Sequence, residues 1–396
     1  MNKDRQERLI KLCQDIIKIQ SYSGKEGDVV RCLEENMKNI GFDEVIVDNY
    51  GSIIGKIKGT SPGKKILFDA HIDTVPVENP KEWKHDPFGA EICEDKIYGR
   101  GTSDMKGSLA AMIIAAEYFA KDKNREFSGE IYISGVVHEE CFEGVAARSI
   151  SELVKPDYVV IGEASELNLK IGQRGRAEIV VETFGIPAHS ANPEKGVNAV
   201  YSIAKIINKL QEIKYEEDGF LGKGILELTD IKSAPYPGAS VVPSYCKATY
   251  DRRLLVGETK DGVLEPIMKL IEELKSECPE INYKVSYAKG TEKCHTGEII
   301  EGERFFPAWC YKEEEVFVQK TFKGLCDIGL NPKITNYSFC TNGSHYAGEA
   351  NIKTIGFGPS KEIIAHTIDE YIEIEQLVKA SEGYYKIMET LLGVEA

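Results

Sequence analysis

The 396-residue sequence predicts an α/β protein of two domains. Three observations lead there. Runs nearly continuous in apolar residues, at 65–70, 130–137 and 158–161, alternate with helical segments, the pattern of a parallel sheet covered on both faces. From about residue 175 to 289 the order of elements becomes β-α-β-β-α-β. The length also exceeds what one hydrophobic core usually serves.

Taken in order, Leu9, Cys13, Ile16 and Ile17 recur at helical spacing and predict an amphipathic first helix. That stretch lacks the apolar core of a signal peptide, and no run reaches the roughly 18 apolar residues of a membrane span. A second helix at 26–40 ends at Gly41 and leads into paired strands at 44–47 and 52–58. The helix at 108–120, SLAAMIIAAEYFA, is apolar nearly all round and must be covered on most sides. In the second region a strand over AEIVVETFG precedes a helix at 198–214, strands at 225–231 and 245–254, a helix at 260–276 and a strand at 282–287, the ferredoxin-like order. The chain then returns to its first layer with an apolar run at 352–357 and a final helix at 374–392. The expected domains are therefore 1–174 with 290–396, and an inserted 175–289.

A net charge of −15 argues against nucleic acid and anionic membrane surfaces as partners, since both would repel the chain. Ten cysteines, spread singly from Cys13 to Cys340, read as reduced thiols of a cytoplasmic protein.

The stretch ILFDAHIDTVP, residues 66–76, ends an aliphatic strand in Asp69, His71 and Asp73 at every second position, all on one face. Asp104 precedes the apolar helix in YGRGTSDMKG, His138, Glu139 and Glu140 follow the strand IYISGVV, Glu163 follows YVVIG, and His366 follows the 352–357 run. The strand-following positions, with Asp104, fall at the carboxyl edge of an open α/β sheet, where ligands bind. Convergence would gather Asp73, Asp104, Glu139, Glu140 and Glu163, and unpaired buried charge costs several kcal/mol per ion. Either the acids protonate or cations join them, and a pair of divalent metals among two imidazoles and three carboxylates would balance most of the charge. Each acid taken singly also reads as a helix cap or a solvated loop residue. HEECF has Phe142 where a zinc helix needs its second histidine, and GRGTSD has Asp104 where a dinucleotide loop needs glycine.

These residues carry a resemblance. HIDTVP, the W-x-x-D-P-F at 83–88, YGRGTSDMKG, the pair Glu139-Glu140, GEAS from Gly162, PAHSANPEKGVNA from Pro187 and AHTIDEY from Ala365 together resemble the di-zinc peptidase and deacylase family, which contains carboxypeptidase G, acetylornithine deacetylase, succinyl-diaminopimelate desuccinylase and aminoacylase. The likeness runs over nearly the whole chain in order, and within the family it is nearest to bacterial hydrolases linked to selenium metabolism or purine breakdown. It implies a zinc-exopeptidase-like catalytic domain with a mixed, largely parallel sheet, and a ferredoxin-like lid and dimerisation domain. It implies two Zn²⁺ per subunit, with Co²⁺ or Mn²⁺ as alternatives: His71 and Glu163 on one, Glu140 and His366 on the other, Asp104 bridging. Asp73 would bond the far nitrogen of His71, Glu139 would be the general base, and His189 would stabilise the oxyanion. Dimeric members take that histidine from the partner subunit, so a homodimer is expected, as is a cis peptide at Asp104-Met105.

Arg253 and Arg174 are candidates for a substrate carboxylate, since a guanidinium offers bidentate geometry. His345, Asn342 and Ser240 occupy positions where the family contacts substrate, with Asn342 near an expected aspartate and Ser240 in place of an asparagine. Asp69 departs from the small residue expected there and has no assigned role; His138 is read as holding loop geometry. The implied reaction is attack of a zinc-bridged hydroxide on the amide of a small N-acyl amino acid, dipeptide or related carboxylate. A strict dipeptidase or carboxypeptidase is the alternative within the class, and a catalytically silent metal-binding homologue the alternative outside it. The retained Glu139 and His189 argue against the latter.

Overall fold

Helix α1 (Lys3–Ile17) starts at Asn2, whose side chain accepts the Arg5 amide, and it buries the expected stripe of Leu9, Cys13, Ile16 and Ile17. Helix α2 (Gly27–Ile40) stops at Gly41, which takes φ 95°, a left-handed conformation that favours glycine. The computed structural model describes residues 1–394. It divides into two compact units: Met1–Gln173, Thr291–Glu301 and the chain from Trp309 onward form the first, Arg174–Gly290 and Gly302–Ala308 the second.

In the first unit the strands are β1 (Glu44–Val47), β2 (Ile53–Lys58), β3 (Ser61–His71), β4 (Ser128–Val136), β5 (Tyr158–Ile161) and β6 (Leu169–Gln173). Helices α3 (Gly107–Asp122) and α4 (Val145–Val154) lie between them. The second unit supplies β7 (Gly175–Phe184), α5 (Ala199–Leu210), β8 (Ile225–Ala234), β9 (Tyr245–Leu254), α6 (Lys260–Glu277) and β10 (Asn282–Tyr287). The chain closes the first unit with β11 (Trp309–Cys310), α7 (Val316–Asp327), β12 (Ile334–Tyr337), β13 (Lys353–Gly356) and α8 (Ile374–Leu392).

The first unit's sheet runs β1-β2-β4-β3-β5-β13-β6-β11, with β12 beside β6. Its centre, β4-β3-β5-β13, is parallel, while β1, β2 and β11 pair antiparallel at the flanks. The fold is thus mixed and largely parallel at its core. Nearly every residue of α3 is buried, as its all-round apolar sequence requires, and it packs against α1 and α8. The centre strands all point their carboxyl ends the same way. His71 ends β3, Glu139 and Glu140 follow β4, Glu163 follows β5, and His366 lies in the segment after β13. Gly162 is closely packed beside Glu163: a Cβ there would run into Met112 Cε and Ser108 Oγ, so a larger residue would force those side chains to shift.

In the second unit the antiparallel order is β8-β9-β7-β10, with Phe305–Phe306 also pairing along β7. Read as the unit's own first to fourth strands, this is 2-3-1-4, the ferredoxin-like arrangement. Ile179, Val181, Ile203, Ile206, Ala248, Ile267 and Ile271 form the core under helices α5 and α6. Strand β8 forms one edge of this sheet and leaves Ile225 and Ile231 exposed.

Candidate metal centre

Asp104 sits in the turn Thr102–Lys106 that leads into α3, and each of its carboxylate oxygens meets a different imidazole. Oδ1 is 2.9 Å from His71 Nε2 and Oδ2 is 3.0 Å from His366 Nε2. Glu163 Oε1 lies 3.5 Å from His71 Nε2, and Glu140 Oε2 lies 3.1 Å from His366 Nε2. His71, Asp104 and Glu140 form one group of converging donor atoms, and His71, Glu139 and Glu163 a second. The five residues read as ligands, with Glu139, are therefore brought together, although their outermost members are 295 positions apart.

The backbone is locked to hold them. Lys106, fully buried, donates to the Ile16 and Ile19 carbonyls at 3.0 and 2.9 Å and to Ser21 Oγ at 3.1 Å, tying the Asp104 turn to the end of α1. The buried Glu370 carboxylate accepts the Gly101, Ser103 and Asp104 amides and the Arg100 guanidinium, joining the Asp104 turn to the His366 segment. The Asp104-Met105 peptide is cis.

Asp73 acts differently from the sequence expectation. Its backbone carbonyl, 2.8 Å away, accepts from His71 Nδ1, and its carboxylate is 3.7 Å from that nitrogen. The carboxylate instead accepts the Glu139 amide at 3.0 Å, the Glu140 amide at 3.2 Å and Ser23 Oγ at 2.7 Å. A main-chain acceptor fixes the imidazole tautomer as well as a carboxylate does, which frees the acid to shape the Glu139-Glu140 loop.

The acids outnumber the imidazoles that face them. Burial, reinforced by Asp104, pushes the Glu163 carboxyl well above its usual range, and burial with the neighbouring acids does the same to Glu139. Glu140 is raised to about 7 by burial and the Asp104 charge. His366 is raised to about 10 by hydrogen bonds to Asp104 and Glu140. Burial opposes ionisation of Asp104, but the two imidazoles outweigh it and hold the carboxyl low. Glu139 Oε1 is buried with no hydrogen-bond partner. Two imidazoles and several carboxylates at these distances form an N/O donor set of the kind divalent metals take, and metal charge would relieve this crowding. The donor chemistry fits a metal centre.

The remaining predicted residues fall elsewhere. Asn342 is buried; its Nδ2 donates to Asp69 Oδ1 at 3.0 Å and its Oδ1 accepts the Gly144 amide at 2.8 Å. His345 is held between Ser151 Oγ at 2.7 Å and Glu349 Oε2 at 2.8 Å. Both side chains are buried with their polar atoms paired within the chain, so a substrate contact at either would have to displace an internal hydrogen bond. In the second unit, His189 and Ser240 lie on adjoining loops: the Ser190 amide donates to the Ser240 carbonyl at 2.9 Å, and His189 bridges to Val241. Arg253 pairs through Nε with Asp251 at 2.8 Å, and Arg174 donates to the Lys223 carbonyl at 2.9 Å. His138 is buried, with φ 57° in the loop that carries Glu139.

Sequence reasoning missed Glu370 and Lys106 as supports. Their signal was present in AHTIDEY and TSDMKG, as charged residues inside otherwise explained motifs.

Residues 67–390 match the model of peptidase family M20/M25/M40. The chain belongs to this family. It is 34% identical to the YgeY protein of Escherichia coli K12 over 99% of this chain and 96% of that one. It is 25% identical to succinyl-diaminopimelate desuccinylase 2 of Ruegeria sp. TM1040, over 98% and 95% of the two chains. The aminopeptidase PepT of Bacillus cereus superposes with a TM-score of 0.76 at 21% identity over 98% of both chains, a likeness of fold. This member of the M20 family is a metal-dependent hydrolase acting on amide bonds.

Proposed function

We propose that the protein cleaves the amide of a small N-acyl amino acid, dipeptide or related carboxylate, with two metal ions, zinc first, held by His71, Asp104, Glu140, Glu163 and His366. The observation that carries this is Asp104, whose two oxygens each face a different histidine, the disposition a bridging ligand needs. Bound there, the metals supply Lewis acidity and lower the pKa of water toward about 7. The chain's own residues do the rest. Glu139, with one carboxylate oxygen buried and unpartnered and its pKa raised, takes a proton from the attacking water and delivers it to the departing amine. Asp73 holds the loop that aims Glu139, and the Asp73 carbonyl holds His71. His71 is buried while His366 is half exposed, so substrate approaches from the His366 side.

From the second unit we propose His189 for the oxyanion and Arg253 and Arg174 for a substrate carboxylate; the loop pairing that puts His189 beside Ser240 supports a shared contact region. A homodimer is proposed through β8, since an exposed edge with unpaired backbone groups and free isoleucines is a surface a second copy can cover. No helix among the described residues is long and apolar enough to cross a membrane.

The test is a metal-replete assay over N-acyl amino acids, dipeptides and carbamoyl compounds, reading release of free amine. Activity on N-acyl amino acids identifies a deacylase, and activity confined to dipeptides identifies a peptidase. No amine release from any member, with metal bound, would remove the reading.

A further inference from the structure

A pocket of about 330 Å³ opens in the helical layer of the first unit, between α1, α3 and α8. That volume falls at the small end of the roughly 300 to 1,000 Å³ that ligand sites span. Ile114, the first α3 residue to line it, stands seven positions after Gly107, where the helix begins, and so about 10 Å along the helix. The pocket is therefore separate from the metal centre. Two buried polar atoms of its lining residues have no hydrogen-bond partner among the described residues: Ser381 Oγ, on a residue 1% exposed, and Arg5 Nε. A helical hydroxyl commonly turns back to the carbonyl four residues earlier, as Thr390 does to Lys386 on the same helix at 2.8 Å, but Ser381 makes no such bond. Arg5 gives both Nη atoms to Asp122 and lies over Tyr118, its Cζ 4.1 Å from the ring centroid, so Nε stays outside the ion pair. Dry, unpaired donors cost free energy, and an acceptor entering the pocket would relieve it.

The chemistry of the lining narrows what can enter. Arg5 Nε–H can only donate and the Ser381 hydroxyl is free to donate, so together they suit a carboxylate. Ile114 and the rings of Tyr118 and Tyr385 offer apolar surface beside them. The ionic groups already present are matched: Arg5 answers Asp122, Lys386 answers Glu389 at 3.1 Å, and the Met1 ammonium answers Glu382. A ligand of net negative charge would upset that balance, whereas a zwitterion preserves it. Glu382 meets Met1 through Oε1 and is partly exposed, which leaves its other oxygen for a second ammonium. We propose that this pocket binds a free α-amino acid with an apolar side chain, its carboxylate on Arg5 and Ser381 and its ammonium on Glu382. The site stands independently of the metal-centre reading. One consequence does rest on that reading: such an amino acid is what the proposed hydrolysis releases, so the pocket is a receptor for product. Its walls lead to the centre, since α3 starts directly after the Asp104 turn and α1, which carries Arg5, ends beside the carbonyls that hold Lys106.

The experiment titrates the metal-replete chain with L-leucine and L-phenylalanine by calorimetry, and compares wild type with Ser381→Ala and Arg5→Lys. Leucinol, which lacks the carboxylate, and 4-methylpentanoate, which lacks the ammonium, are the control probes. Ser381→Ala removes a hydroxyl that has no internal partner, so the ligand-free variant should melt no lower than wild type; Arg5→Lys keeps a cation for Asp122 and removes Nε–H. The expected result is saturable binding of leucine or phenylalanine to wild type, weakened at least about fivefold in each variant and about tenfold on passing from leucine to leucinol. 4-Methylpentanoate should also bind more weakly than leucine. Absence of saturable binding by either amino acid would leave the pocket a water-filled crevice and overturn the proposal. Binding unchanged in both variants overturns it too, by placing the amino acid elsewhere, the metal centre included. Leucinol binding as tightly as leucine overturns the assigned class. Amine release from the substrate panel proceeds or fails regardless of these titrations, which keeps the two readings separately testable.

Discussion

Asp73 contributes two acceptors to two separate tasks, its carbonyl to His71 and its carboxylate to the amides of Glu139 and Glu140. Glu139, proposed as the proton carrier, is therefore positioned by its backbone, and its Oε1 keeps no internal partner. Glu139→Gln keeps those amide bonds and removes only the basic oxygen. We expect kcat to fall by about a thousandfold, within the range general bases supply, while metal binding measured by calorimetry stays within a few-fold of wild type. At this scale the residues proposed as ligands were only partly legible from strand ends: His71 ends β3 and Glu140 and Glu163 follow β4 and β5, whereas Asp104, in the turn before α3, and His366, ten residues past β13, were legible through the motifs YGRGTSDMKG and AHTIDEY. Asn342 and His345 were not legible as internal residues. Asn342 meets Asp69 273 positions away, and nothing in either local sequence announces that bond.

Helix α4 is fastened to the turn Ser344–Glu349 by the chain Ser151, His345, Glu349 and Arg148. Burial works against the Glu349 carboxylate, but the His345 and Arg148 hydrogen bonds bring its pKa down to about 2. The folded value lies below the unfolded one, so this contribution is complete above pH 4.5 and is lost as pH falls through about 2. Glu349→Gln should therefore destabilise by about 1 kcal/mol at neutral pH, after allowance for its partial exposure. In denaturant titrations the gap from wild type should close between pH 4.5 and pH 2. A gap that stays constant over that window would show that the carboxylate's charge is not what fastens the two segments. The elements themselves were unevenly legible. Strands β3, β4 and β5 and the buried α3 stand out as apolar runs, whereas α4, β6 and α7 carry no such run and lean on partners elsewhere in the chain, α7 on α8 and α4 on β4 and the Ser344–Glu349 turn.

For the molecule as a whole, the crowded acids of the centre predict that metal stabilises the fold. Chelation should lower the melting temperature, and restoring divalent ion at a hundred times its dissociation constant should return about 2.7 kcal/mol of apparent stability. A melting curve insensitive to chelator would mean that the acids are accommodated without cations. The two-part organisation and the order of strands in the second unit followed from pattern alone. That part of the chain from Gly302 to Ala308 groups with the second unit did not, because a short segment pairing along β7 leaves no mark in composition.

Lys106 draws the beginning of the chain into the hydrolytic apparatus. The family match opens at residue 67, yet the ammonium that steadies the Asp104 turn finds its acceptors at Ile16, Ile19 and Ser21. A fragment trimmed to the matched region would remove all three acceptors of this ammonium and, with them, the tie between the Asp104 turn and the end of α1. The shortest competent form of this hydrolase must therefore reach back to its first helix, although recognition of its lineage does not.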